Sequence, residues 1–183
     1  MKRIAVPALV LLLSACGYNR IQSLDEQINA YKSQIAVQLQ RRADLVPNLV
    51  EVVKGYATQE KEIFDAVTSA RAGLAGAVRG GKLPEMAAAN NTLSSALNRL
   101  IALSEDTPEI KSNENFRMLQ DQLEGTENRI AVARQDYNNA VREYNAYIRR
   151  FPQVLTAKAT GASAREYFEA DTAAQAVPKV KFD

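Results

Sequence analysis

The sequence predicts an all-α protein, a bundle of long helices, and three observations predict it. Ala, Leu, Gln, Glu, Arg and Asn dominate the 183 residues, while there are only 8 Gly and 6 Pro, a helix-forming inventory. Apolar residues recur at intervals of three and four over stretches far longer than most globular helices. No stretch alternates apolar and polar residues as a half-buried strand would. Helices this long and one-sided must bury their stripes against each other.

The chain opens with Lys2-Arg3 and an apolar run from Ile4 to Leu13. Ten helical residues reach about 15 Å, half of a bilayer core of about 30 Å, which suits a signal-peptide core better than a span. The run ends in Leu13-Ser14-Ala15-Cys16, which resembles the lipobox of bacterial lipoproteins. That resemblance implies cleavage before Cys16, diacylglycerol on its thiol and a further acyl chain on the new amine. Two or more chains exceed the threshold for stable anchoring. The alternatives are an ordinary signal peptide with an incidental cysteine, or a poor transmembrane anchor. Cys16 is the sole cysteine, so no intramolecular disulfide can form. Gly17 follows it where inner-membrane lipoproteins of Gram-negative bacteria commonly carry Asp. By analogy this favours an outer-membrane placement facing the periplasm, if the source is Gram-negative.

From Ile21 the stripe runs through Leu24, Ile28, Tyr31, Ile35, Leu39, Val46, Leu49 and Val53, then Phe64, Val67, Leu74 and Val78. One long helix is expected, ended by Gly80-Gly81. Pro47 lacks the N–H that would bond to the carbonyl of Ala43. The apolar phase crosses it without a jump, so the expectation is a kinked continuous helix. The alternative is a fresh helix capped by Asp44 with Pro47 in its first turn. A second helix is expected from Pro84 to Glu105, with Met86, Leu93, Leu97, Leu100 and Ile101 inward. Asp106-Thr107-Pro108 punctuates the chain, and Ser112 or Asn113 can cap a third helix. Its stripe is Phe116, Leu119, Leu123, Ile130, Ala133, Tyr137, Val141, Tyr144 and Ile148; it crosses Gly125 in phase and ends at Phe151-Pro152. A short helix or two and an extended tail follow. The expected organisation is a signal peptide over 1–15, a lipid anchor and short tether over 16–20, a helical domain over 21–170 and a tail over 171–183.

Further residues carry a family resemblance. The run Gln34-Ile35-Ala36-Val37-Gln38-Leu39-Gln40-Arg41-Arg42-Ala43-Asp44-Leu45-Val46-Pro47-Asn48-Leu49-Val50 resembles the LemA family. So do Val53-Lys54-Gly55-Tyr56-Ala57, Glu114-Asn115-Phe116, Leu123-Glu124-Gly125-Thr126-Glu127-Asn128-Arg129-Ile130, Tyr137-Asn138, Tyr144-Asn145, Phe151-Pro152 and Tyr167-Phe168-Glu169. The resemblance covers nearly all of the chain after Cys16. It implies an up-and-down four-helix bundle held to a membrane at its N-terminus, usually by an uncleaved apolar segment, from which the lipobox departs. The family has no established enzymatic activity. One branch takes part in building magnetosome membranes, and relatives often accompany membrane-protein quality control or surface proteins.

The side chains point the same way. The chain has no His, the commonest general acid/base and metal ligand, and the lone cysteine is the lipidation candidate. The 23 basic and 21 acidic residues balance at 21 each once Lys2 and Arg3 are removed, so no nucleic-acid-binding stripe is expected. Arg41, Arg42, Asp44 and Asn48 around Pro47 form either a partner-binding notch or a charge network that holds the kink. Glu124 and Glu127 lie one turn apart as either a carboxylate pair for a metal or structural ion-pair partners, and bundle metal sites usually add His. Tyr137-Asn138 and Tyr144-Asn145 repeat on one face, either filling a seam whose register Asn sets or exposing a docking strip. No catalytic, cofactor or metal residue is nominated. The expectation is a non-enzymatic, lipid-anchored scaffold or adaptor in the cell envelope, with a membrane-associated partner. The alternative is a ligand-binding bundle or an unrecognised enzyme using the Arg41–Asn48 notch or the Glu124/Glu127 pair.

Overall fold

The computed structural model describes residues 2–57, 59–105 and 107–168, with the backbone alone over 2–16. The expected tail over 171–183 lies outside the described residues. Six helices follow one another: α1 (Lys2–Lys54), α2 (Lys61–Gly80), α3 (Leu83–Glu105), α4 (Pro108–Lys111), α5 (Glu114–Ile148) and α6 (Gln153–Thr160), and the described residues contain no strand.

The chain stays helical through Pro47 rather than restarting at Asp44. The expected single helix from Ile21 to Gly80 is not found, because α1 stops at Lys54 and α2 begins at Lys61. Gly55, Tyr56 and Ala57 close α1 by donating to the carbonyls of Glu51 and Val53 at 3.0–3.3 Å. Val53 and Phe64 are eleven residues apart, close to three helical turns, so the apolar phase appears unbroken although the path reverses. Folding back lets the stripe of α2 bury against α1 and α3 instead of facing water. Residues 16–20, expected as a lipid anchor and short tether, are helical and part of α1.

The other boundaries follow local chemistry. Gly81 takes φ 70°, a left-handed exit that favours glycine, and its N–H reaches the Ala77 and Val78 carbonyls. Asn113 caps α5, its Oδ1 accepting from the Phe116 N–H at 3.1 Å. Gly125 lies inside α5, which continues past it.

α1 packs chiefly on α5 and α2, α2 packs on α3, and α6 covers both α1 and α5. Ile35, Leu39, Leu49, Leu74, Leu93 and Ile130 are fully enclosed, each stabilising the fold by about 1.5–3 kcal/mol relative to exposure. Every apolar residue assigned to the third stripe is buried along α5.

Candidate functional site

Three polar arrangements stand out, and all involve α1 or α5. The first lies in the core. Arg42 follows Leu39 on the buried face of α1 and is only 6% exposed. Its Nη1 donates to Asn90 Oδ1 of α3 at 2.9 Å and pairs with Glu127 Oε2 of α5. Arg134 of α5 also senses Glu127, and its guanidinium lies 4.7 Å from the centre of the Phe168 ring. Burial lowers the pKa of both arginines; the Glu127 carboxylate opposes this for each, while Arg134 adds to it for Arg42. Arg42 Nε and Arg134 Nε and Nη2 are enclosed without an acceptor among the described residues. Guanidinium groups stay charged near neutrality, so the two arginines of this layer act as fixed cations that can hold helices in register.

The second surrounds Pro47. The Ala43 carbonyl, freed by the missing proline N–H, accepts from Arg71 Nε of α2 at 3.2 Å. The sequence offered Arg41 and Arg42, beside the proline, as members of a charge network that holds the kink, and neither serves this carbonyl. The donor comes instead from the next helix. The four residues nominated around Pro47 do not converge: Arg42 points into the core, whereas Arg41, Asp44 and Asn48 are exposed. Asp44 accepts from Gln40 at 2.8 Å. Arg41 lines an open groove of about 540 Å³ with Arg117, Met118, Asp121 and Arg129 of α5. The Glu124/Glu127 pair also divides. Glu127 turns to Arg42, while Glu124 faces solvent and accepts from Gln120 at 3.3 Å.

The third arrangement straps the end of the described chain onto α5. Gly161 closes α6 in the left-handed region at φ 72°, and residues 162–168 then run along the α1–α5 surface without regular structure. Asn145 grips Arg165 through both backbone groups, accepting from its N–H and donating to its carbonyl, each at 2.8 Å. Asn138 grips Phe168 in the same way at 2.8 and 3.0 Å. Seven helical residues rise about 10.5 Å and three extended residues span about 10 Å, so the spacings match. Tyr137 Oη donates to the Glu166 carbonyl at 3.1 Å. The Arg165 guanidinium binds both oxygens of Asp25 at 2.6–2.9 Å, and that hydrogen bond raises its pKa. Tyr137 and Tyr144 are buried as the seam reading requires, and burial raises both phenol pKa values. The asparagines beside them hold the chain's own backbone.

Sequence reasoning named Arg42 and Glu127 but missed Asn90, Arg71 and Arg134. A usable signal was present. The stripes skip a turn between Leu39 and Val46, between Met86 and Leu93, and between Leu123 and Ile130. Arg42, Asn90 and Glu127 occupy those three gaps.

The sequence pattern of the LemA family matches residues 31–182. The chain belongs to the LemA family. Magnetosome protein MamQ 2 and magnetosome protein MamQ 1 of Paramagnetospirillum magneticum are each 30% identical to it over 177 residues, covering 83% of this chain and 64% of theirs. Magnetosome protein MamQ of Magnetospirillum gryphiswaldense is 28% identical over 193 residues, covering 92% of this chain and 71% of its own. The match thus spans less than two thirds of the length of the first two relatives. The LemA pattern takes in the Arg42 layer, the Pro47 segment and the strap, but begins after the apolar run and Cys16. Among the described residues no helix is long and apolar enough to cross a membrane.

Proposed function

We propose that this LemA-family protein is a non-enzymatic, lipid-anchored scaffold or adaptor of the cell envelope. Its four long helices form an up-and-down bundle, the first of them bent at Pro47. The lipid is carried on Cys16, at the outer membrane facing the periplasm if the source is Gram-negative. The partner is another membrane or envelope protein, which anchoring confines to the same surface. The observation that carries this reading is the engagement of the polar residues near Pro47. Arg42 holds Asn90 and Glu127, Arg71 holds the Ala43 carbonyl, and Asp44 holds Gln40, around an apolar core. The similarity to proteins named for the magnetosome supports a membrane setting.

The anchor is tested by growing cells with an alkyne fatty acid. The wild-type chain takes up the label and starts at Cys16. Cys16→Ala stays unlabelled and unprocessed. A mature N-terminus elsewhere, with a free thiol at Cys16, refutes the anchor. The scaffold role is tested by in-cell crosslinking with Arg42, Asp44 and Glu127 substituted singly. Function is expected to track folding or partner capture in every variant. A folded variant that keeps its partner yet loses the phenotype refutes that role.

One observation favours a second reading, a ligand-binding bundle. Arg41, Arg117 and Arg129 line the groove beside α1 and α5 without an ion pair among the described residues. Titration calorimetry with inorganic phosphate tests it, and heat that disappears in Arg41→Gln favours this reading.

A further inference from the structure

We infer that the corner formed by the start of α1, the end of α5 and α6 is a membrane-seating surface, and that it rests on the anionic headgroups of the bilayer tethering the chain. This rests on the reading of the N-terminal segment as a membrane tether, whether through lipid on Cys16 or through the apolar run itself. Both tethers leave the folded part at the same point. Gly17 is buried, and a Cβ there would lie 3.4 Å from Thr156 Oγ1 and 3.8 Å from Gln153 Cγ. α6 is therefore packed against α1 one residue beyond the lipidation candidate.

The surface beside that point has the chemistry of an interface. Phe151 is 81% exposed, more than any other large exposed hydrophobic among the described residues, and Leu155 is 59% exposed. Tyr18 is also exposed, close to the tether. Arg149, Arg150 and Lys158 are exposed around them, and the segment from Arg149 to Gly161 contains no acidic residue. Scattered exposed apolar side chains are ordinary. An aromatic and a leucine flanked by cations beside a membrane tether match the headgroup region, where rings sit at the boundary and basic heads meet anionic phosphate. Val37 and Val132 are also exposed but stand further along the shafts of α1 and α5. Seating on this corner stands the helices away from the membrane. Arg41 then lies about 36 Å along α1 from Gly17, and the reversal after Lys54 about 57 Å.

The chain contains no Trp, so Phe151→Trp introduces a single reporter. The variant is expressed with its own N-terminal segment and reconstituted on vesicles of phosphatidylglycerol and bromine-labelled phosphatidylcholine. The expected result is a blue-shifted, bromine-quenched emission for Phe151→Trp and Leu155→Trp. Val37→Trp and Val132→Trp should be unshifted and unquenched. Arg149→Gln with Arg150→Gln is expected to weaken seating on phosphatidylglycerol by about fivefold per charge removed, with little change on phosphatidylcholine alone. Thermal melting establishes that each variant is folded, and Leu155→Trp keeps the test decisive if Phe151→Trp is not. Co-flotation with all four reporters equally solvent-exposed overturns the seating surface and leaves the tether standing. Failure of the wild-type chain to co-float overturns both.

Discussion

The contact between Arg71 and the Ala43 carbonyl makes Pro47 and Arg71 energetically coupled. Ala43 is fully buried, and its carbonyl has lost its helical donor to the proline. A hydrogen bond from a charged donor contributes about 1.5–3 kcal/mol, and the partial exposure of Arg71 places this one toward the lower end. Arg71→Met keeps the apolar stem and removes the donor, so about 1–2 kcal/mol of stability should be lost. Pro47→Ala supplies the missing N–H within α1, and the same Arg71→Met change should then cost below about 0.5 kcal/mol. Pro47→Ala alone should stabilise the fold by about 1–2 kcal/mol, since relief of the helix-interior penalty exceeds the added freedom of the unfolded chain. The assay is thermal and urea unfolding of all four members of the cycle, followed by circular dichroism on chains starting at Gly17. A loss of 1 kcal/mol corresponds to about 2–4 °C for a domain of this size. Equal cost of Arg71→Met in both backgrounds would refute the coupling, and loss of cooperative folding in Pro47→Ala would show that the helix requires proline there.

Gly125→Ala is expected to stabilise the protein by about 1 kcal/mol in thermal melts, because a Cβ there meets nothing within 4 Å and glycine weakens a helix interior; a lower melting temperature refutes this. Asp25→Asn removes the anion from a partly exposed two-point contact with Arg165, so about 1 kcal/mol should be lost at low salt and less at high salt. Hydrogen exchange at residues 162–168 should rise in that variant, and unchanged protection refutes the anchoring role. Burial raises the phenol pKa of Tyr137 and Tyr144, so the folded chain holds these protons more tightly than the unfolded one. The stability they contribute is full below about pH 10 and is lost as pH rises through their raised values. Urea midpoints should therefore fall more steeply above that pH in the wild type than in Tyr137→Phe with Tyr144→Phe, and parallel curves refute it.

By itself the sequence determined the all-α class, the apolar faces, a cap for α5 at Ser112 or Asn113, of which the structure uses Asn113, and the glycine exit at Gly81. Each depends on periodicity or on chemistry within a few residues, which is written in one dimension. Arg42 and Glu127 were visible as unusual residues, but the division of the nominated notch was not. Whether Arg42 or Arg41 turns inward depends on which face of α1 meets α3 and α5. The reversal after Lys54 escaped because eleven residues restore helical phase whether the chain continues or turns back. Only the tertiary structure brought Arg71 to the Ala43 carbonyl and joined Arg42, Asn90 and Glu127 across three helices. It alone laid residues 165–168 on Asn145 and Asn138, because a side-chain amide binds any backbone and leaves no mark in the sequence of the segment it holds.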